Sequence, residues 1–324
     1  MKSVSVSVPG KVMLAGEYSV LRGGRSLSFT VDKRLKAFAT KCSDKFLIAS
    51  NLWQDPIDLN QQRVGEPNPL LNTMEWAQQN WSANHAEIRI TSQIEISDGL
   101  GSSSAVRLAS LMALGELLDH SSSGWEIPRL LWSLQKKEQG FASGYDFVTQ
   151  KTGGLVEFTP DYSQWPGDVT QRKWNKLEDH IHIFRGGAGA PTTTVAFSTS
   201  QWLRENGLES ELDQKSENLI DQFLYFNRTG FDLAELVGAV RDHRKIFEKT
   251  PKFPSHLLRA LSELKGFDKE WTFKTTGAGG EDSILLIGSK QAIQEAKSCL
   301  SVFQWQELGS PFCREGIITE VEEN

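Results

Sequence analysis

The sequence predicts an α+β fold in two lobes. Two observations carry that expectation. Strand-type alternation and helix-type periodicity are mixed along the whole length instead of being segregated, and one irregular stretch bearing Trp and Pro, Pro160 to Glu178, interrupts the pattern near the middle. A chain of 324 residues, 39% hydrophobic and 23% charged, has enough apolar material for two domains. The boundary is placed at residue 175, giving an N-terminal lobe over 1–175 and a C-terminal lobe over 176–324.

In chain order, "VSVSV" and "SLSFTVD" alternate as strands, "AFATKCSDKFLIAS" reads as a hairpin, and "HAEIRITSQIEI" reads as a long strand ending at Ile96. Helical spacing follows at Asn68 to Trp81, Ser103 to Leu118 and Pro128 to Glu138, and then the strand-like "GGLVEFTP". Past the irregular stretch, "HIHIFRGG" restarts the strand pattern. Amphipathic helices are expected over Glu209 to Phe226, Asp232 to Lys249 and Ser255 to Lys265. A short strand, a glycine loop, the strand "SILLIG", the helix "KQAIQEAKSCL" and two closing strands complete the C-terminal part.

Composition excludes several classes. The first residues alternate Val with Ser and lack the apolar segment of a signal peptide, and no run of about 18 apolar residues occurs. Cys42, Cys299 and Cys313 are odd in number and widely spaced, which fits neither a disulfide framework nor a zinc pattern. The expectation is a cytoplasmic protein that binds no membrane, as monomer or homodimer. A net charge of −6 gives no global attraction for nucleic acid, so an anionic ligand must be held by local donors. The ten tryptophans fall mostly in or beside helical patterns and are read as packing.

The most informative stretch is "ISDGLGSSSAVRLASLMAL", Ile96 to Leu114, where a strand passes through two glycines and three serines into a helix. Ser102 to Ser104 are expected to fill the cap and first turn, with the unpaired helix N–H groups pointing into the loop. Gly99 and Gly101 let the backbone approach a ligand closely, so this is a phosphate site by chemistry. A P-loop needs a lysine that is absent here, and a dinucleotide fingerprint needs a glycine where Ser104 stands. A serine-capped turn is the plain alternative. Two further glycine-rich segments, "PGKVMLAGEYSVLRGG" at 9–24 and "KTTGAGGEDSILLI" at 274–287, weigh against it.

In these three segments the chain resembles the GHMP kinases, specifically the mevalonate and phosphomevalonate kinase branch. Pro9, Gly10, Lys11, Gly16 and Glu17 are similar to its first motif, Gly99 to Ser103 to its second, and Thr276 to Gly280 to its third. The resemblance implies an N-terminal ribosomal-protein-like α/β lobe and a ferredoxin-like C-terminal lobe, with ATP and Mg²⁺ between them. "SGYDFVTQKTGGLVEF" resembles the stretch bearing the family's catalytic aspartate, which would be Asp146. The catalytic pair would then be Lys11, stabilising an incoming oxyanion, and Asp146, the base. Nucleotide phosphates fall to Gly99, Leu100, Gly101, Ser102, Ser103 and Ser104. Mg²⁺ takes oxygen ligands, by resemblance the hydroxyl of Ser103 and the carboxylate of Glu138. The acceptor falls to Glu17, Tyr18, Ser143, Gly144, Thr276, Gly277, Ala278 and Gly279. The basic run Asp32 to Lys36 and the loop Arg185 to Thr194 are further candidates for its surroundings.

Two departures stand out. Glu95 occupies the place of a usual proline, and Glu281 puts a carboxylate after the third motif. Tyr18, Tyr145 and Asp282 resemble phosphomevalonate kinases more than mevalonate kinases, so the acceptor expected is phosphomevalonate, with mevalonate next. Other GHMP activities, on homoserine or a sugar, are the alternative acceptors. A non-catalytic nucleotide-binding regulator is disfavoured by the retention of Asp146 and Ser103, and a decarboxylase relative by the presence of Lys11.

Overall fold

In a computed structural model of the protein, the described residues are 2–51, 55–61, 68–95, 98–120, 124–186, 192–279, 283–308 and 312–323. The fold is α+β. The N-terminal half runs β1 (Lys2–Ala15), β2 (Ser26–Lys41), β3 (Phe46–Ser50), β4 (Ile57–Asp58), α1 (Pro69–Trp81), β5 (Ala86–Ser92), α2 (Ser102–Leu117), α3 (Glu126–Gln139), α4 (Tyr145–Thr152), β6 (Leu155–Pro160) and β7 (Gly167–Arg172). The remainder runs β8 (Ile181–Arg185), α5 (Thr192–Glu205), α6 (Glu209–Thr229), α7 (Leu233–Phe247), α8 (Ser255–Ser262), β9 (Trp271–Thr275), β10 (Ser283–Gly288), α9 (Gln294–Val302), β11 (Gln306–Glu307), β12 (Phe312–Cys313) and β13 (Ile318–Glu323). Among the described residues no helix is long and apolar enough to cross a membrane.

The large sheet follows the order β13-β1-β2-β5-β3-β4, with β12 and β6 also on β2 and β7 on β6. Helix α2 lies against β1 and β2. It is buried almost all round by Ala105, Leu108, Ala109, Leu111, Ala113 and Leu114, as a helix at the centre of a core must be. The second sheet, β11-β8-β10-β9, is antiparallel throughout. Strand alternation divides its residues between two cores. Leu285 and Ile287 join the core that includes the large sheet, while Ile284 and Leu286 join a second one with Leu257, Leu261 and Leu300.

Several sequence expectations are corrected. Strands β2 and β3 do not form a hairpin, because β5 lies between them, antiparallel to β2 and parallel to β3. Buried Ala86, Ile88 and Ile90 suit β5 to that central place. It ends at Ser92, and Ile96 lies outside the described residues. The irregular stretch contains β7, which pairs with β6 from Leu155↔Arg172 to Pro160↔Gly167. Helices α4 and α5 were not anticipated. Of the two closing strands, β13 pairs with β1 and β12 with β2, so the end of the chain returns to the first sheet.

Candidate functional site

Gly99 and Gly101 adopt φ of 67° and 77°, the left-handed region that glycine enters without penalty. Gly101 is itself the N-cap of α2, and no side chain caps the helix. This corrects the expected serine cap. The first-turn N–H groups of Ser102, Ser103 and Ser104, which have no partner within the helix by its geometry, are therefore left uncapped. Ser104 Oγ turns back to Gly101 O at 2.9 Å, Gln150 Nε2 from α4 reaches the same oxygen at 3.1 Å, and Ser103 is exposed. Leu100 is buried, and its carbonyl accepts from the Lys11 N–H at 2.9 Å, tying the loop to β1.

The Lys11 side chain runs across this loop. A Cβ on Gly101 would lie 2.7 Å from Lys11 Cε, and Lys11 Nζ is 3.5 Å from Gly99 O. The same ammonium meets Tyr145 Oη at 2.7 Å, with the Tyr145 ring centroid 5.0 Å away. Burial raises the Tyr145 phenol's pKa against the opposing pull of Lys11. Asp146 follows in the first turn of α4, where its carboxylate favours the helix dipole, and it is half-buried. Gly144 caps α4 in a left-handed conformation and Ser143 is buried. Lys11, the glycine loop and the Asp146 turn are thus one cluster.

Glu138, in the last turn of α3, forms an ion pair with Arg107 of α2 and accepts from Asn72 Nδ2 at 3.4 Å. Arg107 is buried, has one terminal nitrogen without a hydrogen-bond partner, and lies one helical turn after Ser103. Among the described residues no three His, Cys, Asp or Glu side chains gather as a metal cluster. A set this sparse fits a Mg²⁺ bound mainly through phosphates and water, to which the Ser103 hydroxyl and the Glu138 carboxylate, the latter paired with Arg107, would add oxygens. The three uncapped amides and the two glycines fit nucleotide phosphates.

Sequence reasoning missed Asp98. Its side chain is fully buried directly before Gly99 and pairs with Lys33 Nζ at 3.3 Å and Arg185 Nη1 at 3.0 Å. Lys33 comes from β2 and Arg185 from the end of β8, so the loop is anchored to both sheets. The departure at Glu95 acquires a role here, since its carboxylate is 2.6 Å from Arg185 Nη1. Of the Arg185 to Thr194 loop, residues 187–191 lie outside the described residues, as do Gly280, Glu281 and Asp282.

The first and third motifs face each other. Thr276 Oγ1 donates to Met13 O at 2.8 Å, and Tyr18 Oη donates to Ala278 O at 2.6 Å. Gly277 and Gly279 take φ of 69° and 85°, and a Cβ on Gly277 would meet nothing within 4 Å. Glu17 is buried in an ion pair with Lys274 of β9, and His243 Nε2 of α7 is 3.8 Å from its other oxygen. Burial, with Lys274 adding to it, holds the His243 pKa well below the usual imidazole range. Neither Lys274 nor His243 carries a motif signal of its own.

Residues 68–154 match the GHMP kinases N terminal domain, a span that includes the glycine loop, Glu138 and Asp146. The mevalonate kinase of Saccharolobus solfataricus is 32% identical over 167 residues, 48% of this chain and 51% of that protein. The chain spans about half the length of the curated relatives it matches. Over nearly the full length it superposes on two solved structures. Streptococcus pneumoniae phosphomevalonate kinase in complex with phosphomevalonate and AMPPNP gives a TM-score of 0.77 at 18% identity, covering 98% of this chain and 99% of that one. Methanococcus jannaschii mevalonate kinase gives 0.72 at 19% identity, covering 96% and 98%. The fold is shared with these two solved structures.

Proposed function

We propose that this chain, which carries a GHMP kinase N-terminal domain, is an ATP-dependent phosphotransferase acting on a small mevalonate-type acceptor, phosphomevalonate ahead of mevalonate. The observation that carries the reading is the position of Lys11, whose one side chain packs on Gly101 and reaches both Gly99 O and Tyr145 Oη, next to Asp146. A phosphate loop, a cation and a base in one cluster are what phosphoryl transfer requires, since the protein's task is positioning and charge stabilisation. In this reading the amides of Ser102, Ser103 and Ser104 hold nucleotide phosphates. Ser103 and Glu138, the latter now paired with Arg107, are the residues that would hold Mg²⁺, which would neutralise phosphate charge. Lys11 stabilises the acceptor oxyanion, and Asp146 takes the proton that an alcohol acceptor must lose. Ser143, Gly144 and Thr276 to Gly279 border the acceptor, with Glu17 and Tyr18 supporting the third motif from behind.

Support for a mevalonate-type acceptor comes from the sequence relatives and from the aromatic residues Tyr18 and Tyr145. The test is a coupled ADP-release assay of the purified protein with mevalonate, 5-phosphomevalonate, homoserine and galactose. Turnover confined to homoserine or galactose defeats the acceptor assignment while leaving the kinase standing, and no turnover with any acceptor counts against both. Asp146→Asn separates the two favoured acceptors. An alcohol must lose a proton during attack, so mevalonate turnover falls about 10²- to 10⁴-fold. A phosphomonoester, with a second pKa of about 6, is already mostly ionised and loses less.

A further inference from the structure

The turn that delivers Asp146 is held from behind by two tryptophans that the sequence marks only as packing. Trp132, on α3, donates its indole N–H to Ala142 O at 2.9 Å, and Trp165, beyond β6, donates its own to Ser143 O at 3.1 Å. Consecutive carbonyls are thus fixed by two separate indoles. The rings lie parallel, with centroids 5.3 Å apart and an interplanar angle of 4°. Both are buried, at 9% and 2% exposure. A Cβ on Gly144 would fall 2.6 Å from Trp165 Cζ2 and 2.9 Å from Trp132 Cδ1, so the aromatic pair is in contact with the very residue that caps α4. Trp165 is fixed in turn by Arg129 Nε, which donates to its carbonyl at 2.8 Å.

A buried tryptophan normally finds a partner for its N–H, and any acceptor satisfies that need. Here both partners are the carbonyls of the two residues immediately before Gly144, Tyr145 and Asp146. With Ala142 and Ser143 fixed and Gly144 confined to a left-handed conformation at φ 76°, the start of α4 has little freedom to shift. Tyr145 is then set against Lys11, and Asp146 takes the next position. We propose that Trp132 and Trp165 are positioning residues for phosphoryl transfer, acting through the Ser143–Asp146 turn without touching substrate. This rests on the kinase reading above, in which Asp146 is the base. Misplacement of a reacting group by about 1 Å costs on the order of 10²-fold in rate, so a small movement of this turn is sufficient to be seen.

The experiment uses Trp165→Phe, which keeps a buried ring and removes the N–H, with Trp132→Phe as the second variant should the first not fold. Trp76→Phe, in the separate Trp76–Trp81 pair of α1, is the control. Hydrogen–deuterium exchange is followed at 143–148 and at 102–110, alongside kcat, the KM for ATP and the melting temperature. The expected result is faster exchange confined to 143–148 and, with the alcohol acceptor mevalonate, a fall in kcat of about ten- to a hundredfold, with the KM for ATP within about twofold. In an Asp146→Asn background, Trp165→Phe lowers kcat by less than about twofold more, because both changes act on the same group. Unchanged exchange at 143–148 overturns the clamp. So does loosened exchange with unchanged kcat in an active enzyme, or a full additive loss in the Asp146→Asn background. A wild-type protein without turnover on any acceptor, but with the exchange response intact, defeats the kinase reading and upholds the clamp.

Discussion

The glycine loop at 99–104 and the contact between the first and third motifs carry similar residue types, yet the fold uses them in opposite ways. In the loop no side chain caps α2, so the first-turn amides remain open, and Ser103 faces solvent. At the other contact the polar groups are directed at each other. Thr276 bonds Met13 O, Tyr18 bonds Ala278 O, and Glu17 and Lys274 form a buried pair. One region leaves its backbone amides open, and the other holds two parts of the chain together. Polar character in a glycine-rich motif is therefore ambiguous until its partners are known.

The contrast can be broken most sharply at the buried pair. Lys274→Met leaves the Glu17 carboxylate at 3% exposure without its cation, and removing one partner of a buried ion pair costs about 3–5 kcal/mol. Urea denaturation measures this. A double variant, Glu17→Leu with Lys274→Met, is expected to recover much of the loss, whereas a single-variant cost below about 1 kcal/mol would show the contact to be no buried tie. Next in size is Gly101→Val. The position has φ 77° and its Cβ falls 2.7 Å from Lys11 Cε, so ATP affinity measured by calorimetry should drop about 100-fold, or 2.7 kcal/mol. Gly277→Ala, with open space around it, should cost only the left-handed backbone strain of about 1–2 kcal/mol. Equal nucleotide affinity in the two variants would remove the distinction between the regions.

The smallest effect is a pH dependence of stability. His243 is buried and its folded-state pKa is depressed. A depressed histidine contributes its full stability above the unfolded value of about 6.5 and loses it as pH falls, because the unfolded chain then binds the proton first. The slope from this one group reaches at most about 1.4 kcal/mol per pH unit below pH 6.5. Denaturant midpoints between pH 7.5 and 6 measure it, and His243→Leu should flatten that part of the profile.

The loop was legible because its signal is local, with glycines, serines and a helix start compressed into six residues. Lys11 and Asp146 became legible only through the motifs around them. Nothing local gives Lys274 a partner, since it sits in a buried strand 257 residues from Glu17, and the same holds for Asp98, whose cations come from β2 and β8. Arg107 looks like any charged residue on a helix until α3 brings Glu138 to it. Strand order fails for the same reason. Periodicity identifies β3, β5 and β13 as strands but not which neighbour each pairs with. Helix α4, eight residues long between Gly144 and Gly153, is too short for its apolar spacing to register. The indole partners of Trp132 and Trp165 are backbone carbonyls, which have no sequence signature at all.

Tyr18 belongs to the first motif, yet its side chain is counted in the second core, beside Phe247. At the other end of the chain, β12 and β13 leave the second core's neighbourhood to complete the first sheet. Each of the two cores thus takes in distant parts of the chain, the first running from Val4 to Leu308 and the second from Tyr18 to Trp305. With the cores shared in this way, the chain is expected to unfold as one cooperative unit. Differential scanning calorimetry should record one heat absorption peak whose van't Hoff and calorimetric enthalpies coincide, where a pair of independent lobes would give two.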